Sequence, residues 1–287
     1  MTAPDRPRHA RQSVIVISSH VVRGSVGNRA IVFALETMGH GIWAVPTVVL
    51  PWHPGHGRGT RIVPAAEDFA ALMRDLEYAP WLGEVSAVLS GYLGDPSQAD
   101  AVAGLVNRLK EENPEALYLC DPVMGEENGL YVPQATACAI RDKLMPLADI
   151  ATPNRYELAW MAGKELATLD DVRQAAESVP PETMLVTSAP AEVPGDTANL
   201  LLTPRSAFLA QHRAIEDPCK GPGDLTSALF LSWLLDGAVP RHALQRATAA
   251  VFDILALAAA SGADELMLER DAEVFHNPAT TVSVRDL

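Results

Sequence analysis

Lys220-Gly221-Pro222-Gly223-Asp224-Leu225 sets two glycines and a carboxylate at the start of an apolar run, Thr226 to Leu235. That run reads as a buried helix ended by Asp236-Gly237. Glycines let a backbone approach a ligand closely, and the unpaired N–H groups and dipole of a helix start favour an anion. Asp224 inside such a site serves either as a cap or as a proton acceptor beside a phosphate. Taken alone, the pattern reads first as an ordinary capped turn.

Other groups sharpen it. Asp121 follows an apolar strand and precedes Pro122, which puts its carboxylate at a sheet edge or in a plain surface turn. Asn154 and Glu157 stand in an N-x-x-E spacing at a helix start, which also fits a capping box. If both acids face one pocket, a divalent cation is the natural reason for gathering negative charge there. Magnesium suits better than zinc, because it takes oxygen ligands and bridges to phosphates. Tyr92, in Ser90-Gly91-Tyr92-Leu93-Gly94, either packs at a strand end or offers its ring to a flat aromatic ligand. His20 reads as a loop brace, and Arg23 and Arg29 as residues that steer or brace. His53 and His56 lie in Pro51-Trp52-His53-Pro54-Gly55-His56-Gly57-Arg58-Gly59, too rich in Gly and Pro for regular structure and read as a mobile flap.

The elements that must carry these groups alternate along the chain. Strands are expected at 13–18, 42–50, 87–90, 116–120, 149–152 and 184–187, and an antiparallel hairpin at 198–203 and 207–212. Helices are expected at 29–38, 65–76, 97–111, 134–144, 156–162, 169–178 and 241–261, with a further one over 263–275. Such alternation means a three-layer α/β/α fold around a mostly parallel sheet. Ligands of these sheets lie beyond the carboxyl ends of the strands. The segments 18–28, 91–94, 121–125, 152–157 and 187–188 all fall there.

The 287 residues, 48% hydrophobic and 20% charged, suffice for one large α/β domain. No linker divides the chain, so 13–287 reads as a single domain after a flexible polar tail, 1–12. No apolar run approaches the length of a membrane span, and the tail lacks an apolar signal core. A formal charge of −14 argues against nucleic acid or an anionic membrane as the main partner. Cys120, Cys138 and Cys219 show neither metal nor disulfide spacing, which fits a reducing cytoplasm.

In order and at sensible spacing, Ser19-His20-Val21-Val22-Arg23-Gly24-Ser25-Val26-Gly27-Asn28, Ala44-Val45-Pro46-Thr47-Val48, Ser90-Gly91-Tyr92-Leu93-Gly94, Asp121-Pro122-Val123-Met124-Gly125, Thr152-Pro153-Asn154 with Glu157-Leu158, and Lys220 to Leu225 resemble the pyridoxal kinases. That family belongs to the ribokinase-like superfamily, and the resemblance spans about residues 13–260. It implies ATP-dependent phosphorylation of the 5′-hydroxymethyl group of pyridoxal, with pyridoxine and pyridoxamine as further acceptors. It also implies magnesium, a homodimer and, as an open matter, a monovalent cation. Residue by residue, Asp224 matches the base that takes the hydroxymethyl proton, and Gly221 and Gly223 the anion hole for the phosphoryl group. Asp121 and Glu157 match acids around magnesium and the nucleotide phosphates, supported by Asn154, with Tyr131 a weaker candidate near the metal. Thr152, Thr187 and Lys220 match nucleotide-side positions, and Ser19, Val26 and Tyr92 the pyridine side. Two departures stand out. Pro222 replaces the usual threonine or valine and removes one N–H donor while fixing φ. The flap is also less polar than the family's, leaving His56, or less so His53, to hold the pyridine. Competing readings are a hydroxymethylpyrimidine kinase and a weakly catalytic protein that binds the vitamin.

Overall fold

Buried on both faces, the inner strands have little polar surface to show, and Val14, Ile15, Val16 and Ile17 are fully enclosed. The structure, a computed structural model, describes residues 12–287. Most of the 1–12 tail expected from sequence therefore lies outside the described residues. Gln12 does not behave as a tail residue, since its side-chain amide donates to the Leu235 carbonyl at 2.9 Å.

In chain order the first half comprises β1 (Ser13–Val21), α1 (Asn28–Thr37), β2 (Gly41–Leu50), α2 (Ala66–Glu77), β3 (Val85–Ser90), α3 (Gln98–Glu112) and β4 (Leu117–Cys120). A small ribbon follows, β5 (Gly125–Glu126) and β6 (Gly129–Leu130), then α4 (Gln134–Ala139), β7 (Ile150–Ala151), α5 (Arg155–Ala162) and α6 (Leu169–Ser178). Last come β8 (Thr183–Pro190), β9 (Asp196–Thr203), β10 (Ser206–Arg213), α7 (Pro222–Leu235), α8 (Pro240–Ser261), α9 (Leu268–Asp271) and β11 (Val284–Asp286).

Nine strands form one sheet in the order β11-β10-β9-β8-β7-β4-β3-β1-β2. The pairings from β2 across to β8 are parallel, and β9, β10 and β11 add an antiparallel extension. Alternate residues serve opposite faces: Ile15 and Ile17 pack with Phe69, Leu105, Leu158 and Val172, whereas Val14 and Val16 pack with Ile31, Leu229 and Ile254. Helices α2 to α6 thus cover one face, and α1, α7, α8 and α9 the other. This is the three-layer, mostly parallel arrangement expected. Strand order reverses between β1 and β3, which opens the crevice where ligands of such sheets sit.

Four features depart from the sequence reading. β1 runs on past Ser18 to Val21, because its pairing with β2 resumes after a bulge between Ser18 and His20. The helix expected from 263 begins only at Leu268. Gly262, at φ 63°, ends α8, and the Ala263 N–H closes back on the Ala258 carbonyl. β11 carries no local strand signal and exists through its pairing with β10. Finally, α8 is long and apolar enough to cross a membrane by length and composition, although no apolar run was expected to be. It lies mostly buried inside the protein, packed on the sheet and α7.

Candidate active site

Helix α7 begins at Gly221, whose φ of 102° only glycine adopts comfortably. The turn is also tightly enclosed: a Cβ at Gly221 would lie 2.3 Å from the Ser25 carbonyl oxygen. Gly223 differs, since a Cβ there meets no atom within 4 Å; the space above it is open. Pro222 occupies the first helical position, where its ring suits the backbone and its missing N–H would in any case have no partner inside the helix. Gly223 and Asp224 remain to present N–H groups at the positive end of the dipole.

Asp224 lies in this first turn. Its Oδ2 accepts the Gly27 N–H at 2.9 Å, which ties α7 to the loop after β1. Burial raises its pKa to about 6, and the Gly27 bond opposes that rise. Asp121, at the end of β4, is pushed up to about 8 by burial and then by the charge of Asp224. The repulsion therefore falls on Asp121, and Asp224 ionises first. Ser227, one turn into α7, donates to Asp121 Oδ2 at 3.0 Å and meets the Thr152 hydroxyl at 2.8 Å.

Glu157 also rises to about 8, through burial and the Asp121 charge. Its oxygens accept N–H bonds from Met124 at 2.9 Å, Gly125 at 3.2 Å and Asn154 at 2.8 Å. The Asn154 side chain returns the cap, accepting from Tyr156 and Glu157, and its amide donates to the Gly125 carbonyl. A carboxylate has about four lone-pair sites, so Glu157 keeps little capacity for an ion beyond its capping role. Asp121 is the freer of the two. Among the described residues no group of three or more His, Cys, Asp or Glu could hold a metal by itself. Two buried acids with raised pKa values nonetheless fit magnesium that arrives already bound to nucleotide phosphates. Tyr131 follows the β5–β6 ribbon; its ring is half exposed, and burial of its hydroxyl with the charges of Glu157, Asp121 and Asp224 raises its pKa.

Thr187 donates its backbone N–H to the Pro153 carbonyl at 2.9 Å, bringing the middle of β8 beside Asn154. Ser188, next to it, holds a left-handed φ of 55° at an irregularity in β8. Lys220 donates to Glu126 Oε2 at 3.0 Å, joining the α7 entrance to the ribbon.

At the β1–β3 crevice the Ser18 hydroxyl accepts the Tyr92 N–H at 3.1 Å. Ser19 sits on the β1 bulge against Gly27, where a Cβ would lie 2.3 Å from the Ser19 hydroxyl. Val26 is buried, 3.2 Å from where a Cβ on Gly221 would stand. The flap contains a 3₁₀ turn, Pro54–His56, capped by the His53 ring, and its base is pinned by Val49 and Ile62. Its two sides are tied down: Arg61 donates to the Gly94 carbonyl, and His56 Nε2 donates to Glu265 Oε1 at 2.9 Å. A cavity of about 220 Å³ lies at this junction, lined by His53, His56, Cys219, Lys220 and Asp264 among others.

Asp224, Asp121, Glu157, Asn154, Thr152, Gly221 and Gly223 thus converge where α7 meets the ends of β4 and β7. Ser19, Val26 and Tyr92 gather at the neighbouring crevice, while His56, Lys220 and Tyr131 stand around the rim. Two contributors escaped sequence reasoning, Ser227 and Glu265, and Ser18 is marked only as part of the 18–28 segment. Ser227 lies one helical turn past Asp224 and could have been found on that face. Glu265 sits in a stretch read as helix and carried no signal.

The phosphomethylpyrimidine kinase family model matches residues 72–267. The chain is 37% identical over 280 residues to a pyridoxal kinase of Rubrobacter xylanophilus, covering 95% of this chain and 97% of that one. It is 34% identical over 283 residues to one from Corynebacterium diphtheriae, covering 96% and 99%. Among solved structures, pyridoxal kinase from Leishmania donovani in complex with ADP and pyridoxine superposes with a TM-score of 0.90 at 26% identity, over 96% of this chain and 99% of that one. The same enzyme with ADP and pyridoxamine gives 0.90 at 25%.

Proposed function

Because this chain belongs to the pyridoxal kinase family, we propose that it transfers the γ-phosphoryl group of ATP to the 5′-hydroxymethyl group of pyridoxal, and of pyridoxine and pyridoxamine. The observation that carries this reading is Asp224, partly buried at the α7 N-terminus, hydrogen-bonded to Gly27 and beside the open space over Gly223.

Phosphoryl transfer asks the protein mostly for positioning and charge stabilisation. Asp224, ionised above about pH 6, takes the proton of the alcohol as the new P–O bond forms. The N–H groups at the start of α7 face the transferring group, with the dipole aligned toward it. Asp121, with Glu157 behind it, would hold magnesium, which when bound neutralises phosphate charge. Ser227 and Thr152 orient Asp121, and Asn154 locks Glu157. The pyridine occupies the β1–β3 crevice between the Ser19 loop and Tyr92, with the flap above. We also propose a reducing cytoplasm, which the three free cysteines suit, and a homodimer, which rests on the family resemblance alone.

The family model's own description favours a second reading, a kinase of hydroxymethylpyrimidine. Its match begins at residue 72 and leaves out the Ser19–Asn28 loop, the most distinctive segment. One assay separates the two: purified protein with ATP, magnesium and each alcohol, following the phosphorylated product. Phosphorylation of pyridoxal well ahead of the pyrimidine is expected; the reverse order overturns the proposal.

A further inference from the structure

Glu265 is almost fully buried, yet it belongs to the connection between α8 and α9 and has no part in the reaction derived above. A buried carboxylate is costly unless paired, and this one is paired three ways. Oε1 accepts from His56 of the flap at 2.9 Å, with an Arg23 guanidinium nitrogen 3.6 Å away. Oε2 accepts the Ser25 N–H at 3.3 Å. The carboxylate also fills the space of a missing side chain: a Cβ on Gly24, at φ 112°, would lie 2.6 Å from Oε1.

The 24–27 loop that Glu265 holds has a second side, facing the reaction centre. The Ser25 carbonyl lies against Gly221, and the Gly27 N–H binds Asp224. Ser25 adds a hydroxyl bond to the Leu266 carbonyl at 2.7 Å, which fixes the loop to the segment bearing Glu265. One carboxylate therefore touches the flap with one oxygen and the general base's supporting loop with the other.

Resting on the pyridoxal kinase reading, we infer that Glu265 is a positioning residue that tethers the 51–59 flap over the acceptor alcohol and registers it against the loop supporting Asp224. It acts on the alcohol and not on the nucleotide, because the elements it joins border the crevice and not the Thr187 side.

The test uses the full chain. Glu265→Ala raises KM for pyridoxal about tenfold, the order expected for one lost charged hydrogen bond, and leaves KM for ATP within about twofold. Glu265→Gln, which His56 can meet by switching tautomer, restores most of the pyridoxal KM. His56→Ala combined with Glu265→Ala is no worse than Glu265→Ala alone, as coupled partners require. A readout independent of turnover is tryptic cleavage after Arg58 and Arg61, which Glu265→Ala accelerates at a temperature where circular dichroism shows it folded. If the parent does not phosphorylate pyridoxal, the functional reading fails while the cleavage arm still tests the tether. Cleavage at the parent rate overturns the inference, as do equal rises in both KM values or additive effects of the two substitutions. Should Glu265→Ala not fold, Glu265→Gln and His56→Ala carry the same comparison, and unchanged pyridoxal KM with unchanged cleavage in both overturns it.

Discussion

At the proposed phosphoryl end of the site, Asp121 and Glu157 are buried and Asp224 is partly buried, and all three are held by backbone N–H groups or the Ser227 hydroxyl. At the vitamin end, the flap and its neighbouring loop are held by His56, Arg61 and Arg23, which face water over much of their surface. The Arg23–Asp264 pair shows the contrast, with side chains 55% and 60% exposed. Exposed pairs contribute little and are screened by salt, so the flap relies chiefly on one shielded tether, His56 on Glu265. Buried acids are the reverse: they are fixed in place, and their charge is a standing cost until a cation or proton relieves it. On the proposed reading, the chemistry end is preorganised, and the vitamin end is left free to admit and release a ligand.

The hardest blow to the preorganised end is Asp224→Asn. Turnover falls about a hundredfold or more, the usual scale for a lost general base, while nucleotide binding measured by calorimetry stays near the parent's. In the parent, kcat/KM declines on the acid side around pH 6, where Asp224 takes up its proton. A mutant within a few-fold of the parent removes Asp224 from its role.

Next comes the cation. Asp121→Asn or Glu157→Gln raises the magnesium concentration for half-maximal activity, by about tenfold for Asp121, the equivalent of one lost charged contact. Glu157→Gln shifts it less, since its oxygens already serve three N–H groups, and lowers the melting temperature more. Unchanged magnesium dependence in both leaves these residues with capping and turn roles alone.

A third outcome concerns stability. Asp121 and Glu157 bind their protons more tightly folded than unfolded, with pKa values of about 8 against ordinary carboxylate values. The folded state therefore holds more protons across the interval from about pH 4 to about pH 8. Stability is greatest at the acid end of that window and falls as pH rises through it. Scanning calorimetry of the ligand-free protein checks this, and Asp121→Asn flattens the slope. A melting temperature that climbs from pH 5 to pH 8 in the parent and not in Asp121→Asn contradicts the assignment.

The smallest effect is expected of Pro222→Thr. It restores an N–H at the first helical position, and turnover rises about three- to tenfold, less than a lone oxyanion donor is worth, because Gly223 and Asp224 already donate. The opposing term is loop freedom, about 0.4–1 kcal/mol. A clear fall in turnover, with the melting temperature retained, shows that rigidity outweighs the extra donor.

Local motifs made the preorganised end legible before any fold was known. The capping box at Asn154–Glu157, the strand-end Asp121 and the glycine start of α7 are each written in a few adjacent residues, because caps and strand ends are short-range devices. Alternating strands and helices conveyed the layered sheet for the same reason. What the sequence could not convey was adjacency across the chain. Ser227 reaches Asp121 from 106 positions away, and His56 reaches Glu265 from 209. A buried carboxylate at 265 is meaningful only once α8 has ended at Gly262 and the chain has turned toward the flap. The raised pKa values likewise belong to the fold, since burial, the charge of Asp224 on Asp121 and that of Asp121 on Glu157 exist only after packing. The chain by itself determined which residue types could do the chemistry; tertiary packing decided which acid ionises first and what holds the flap, because desolvation and long-range contact have no local code.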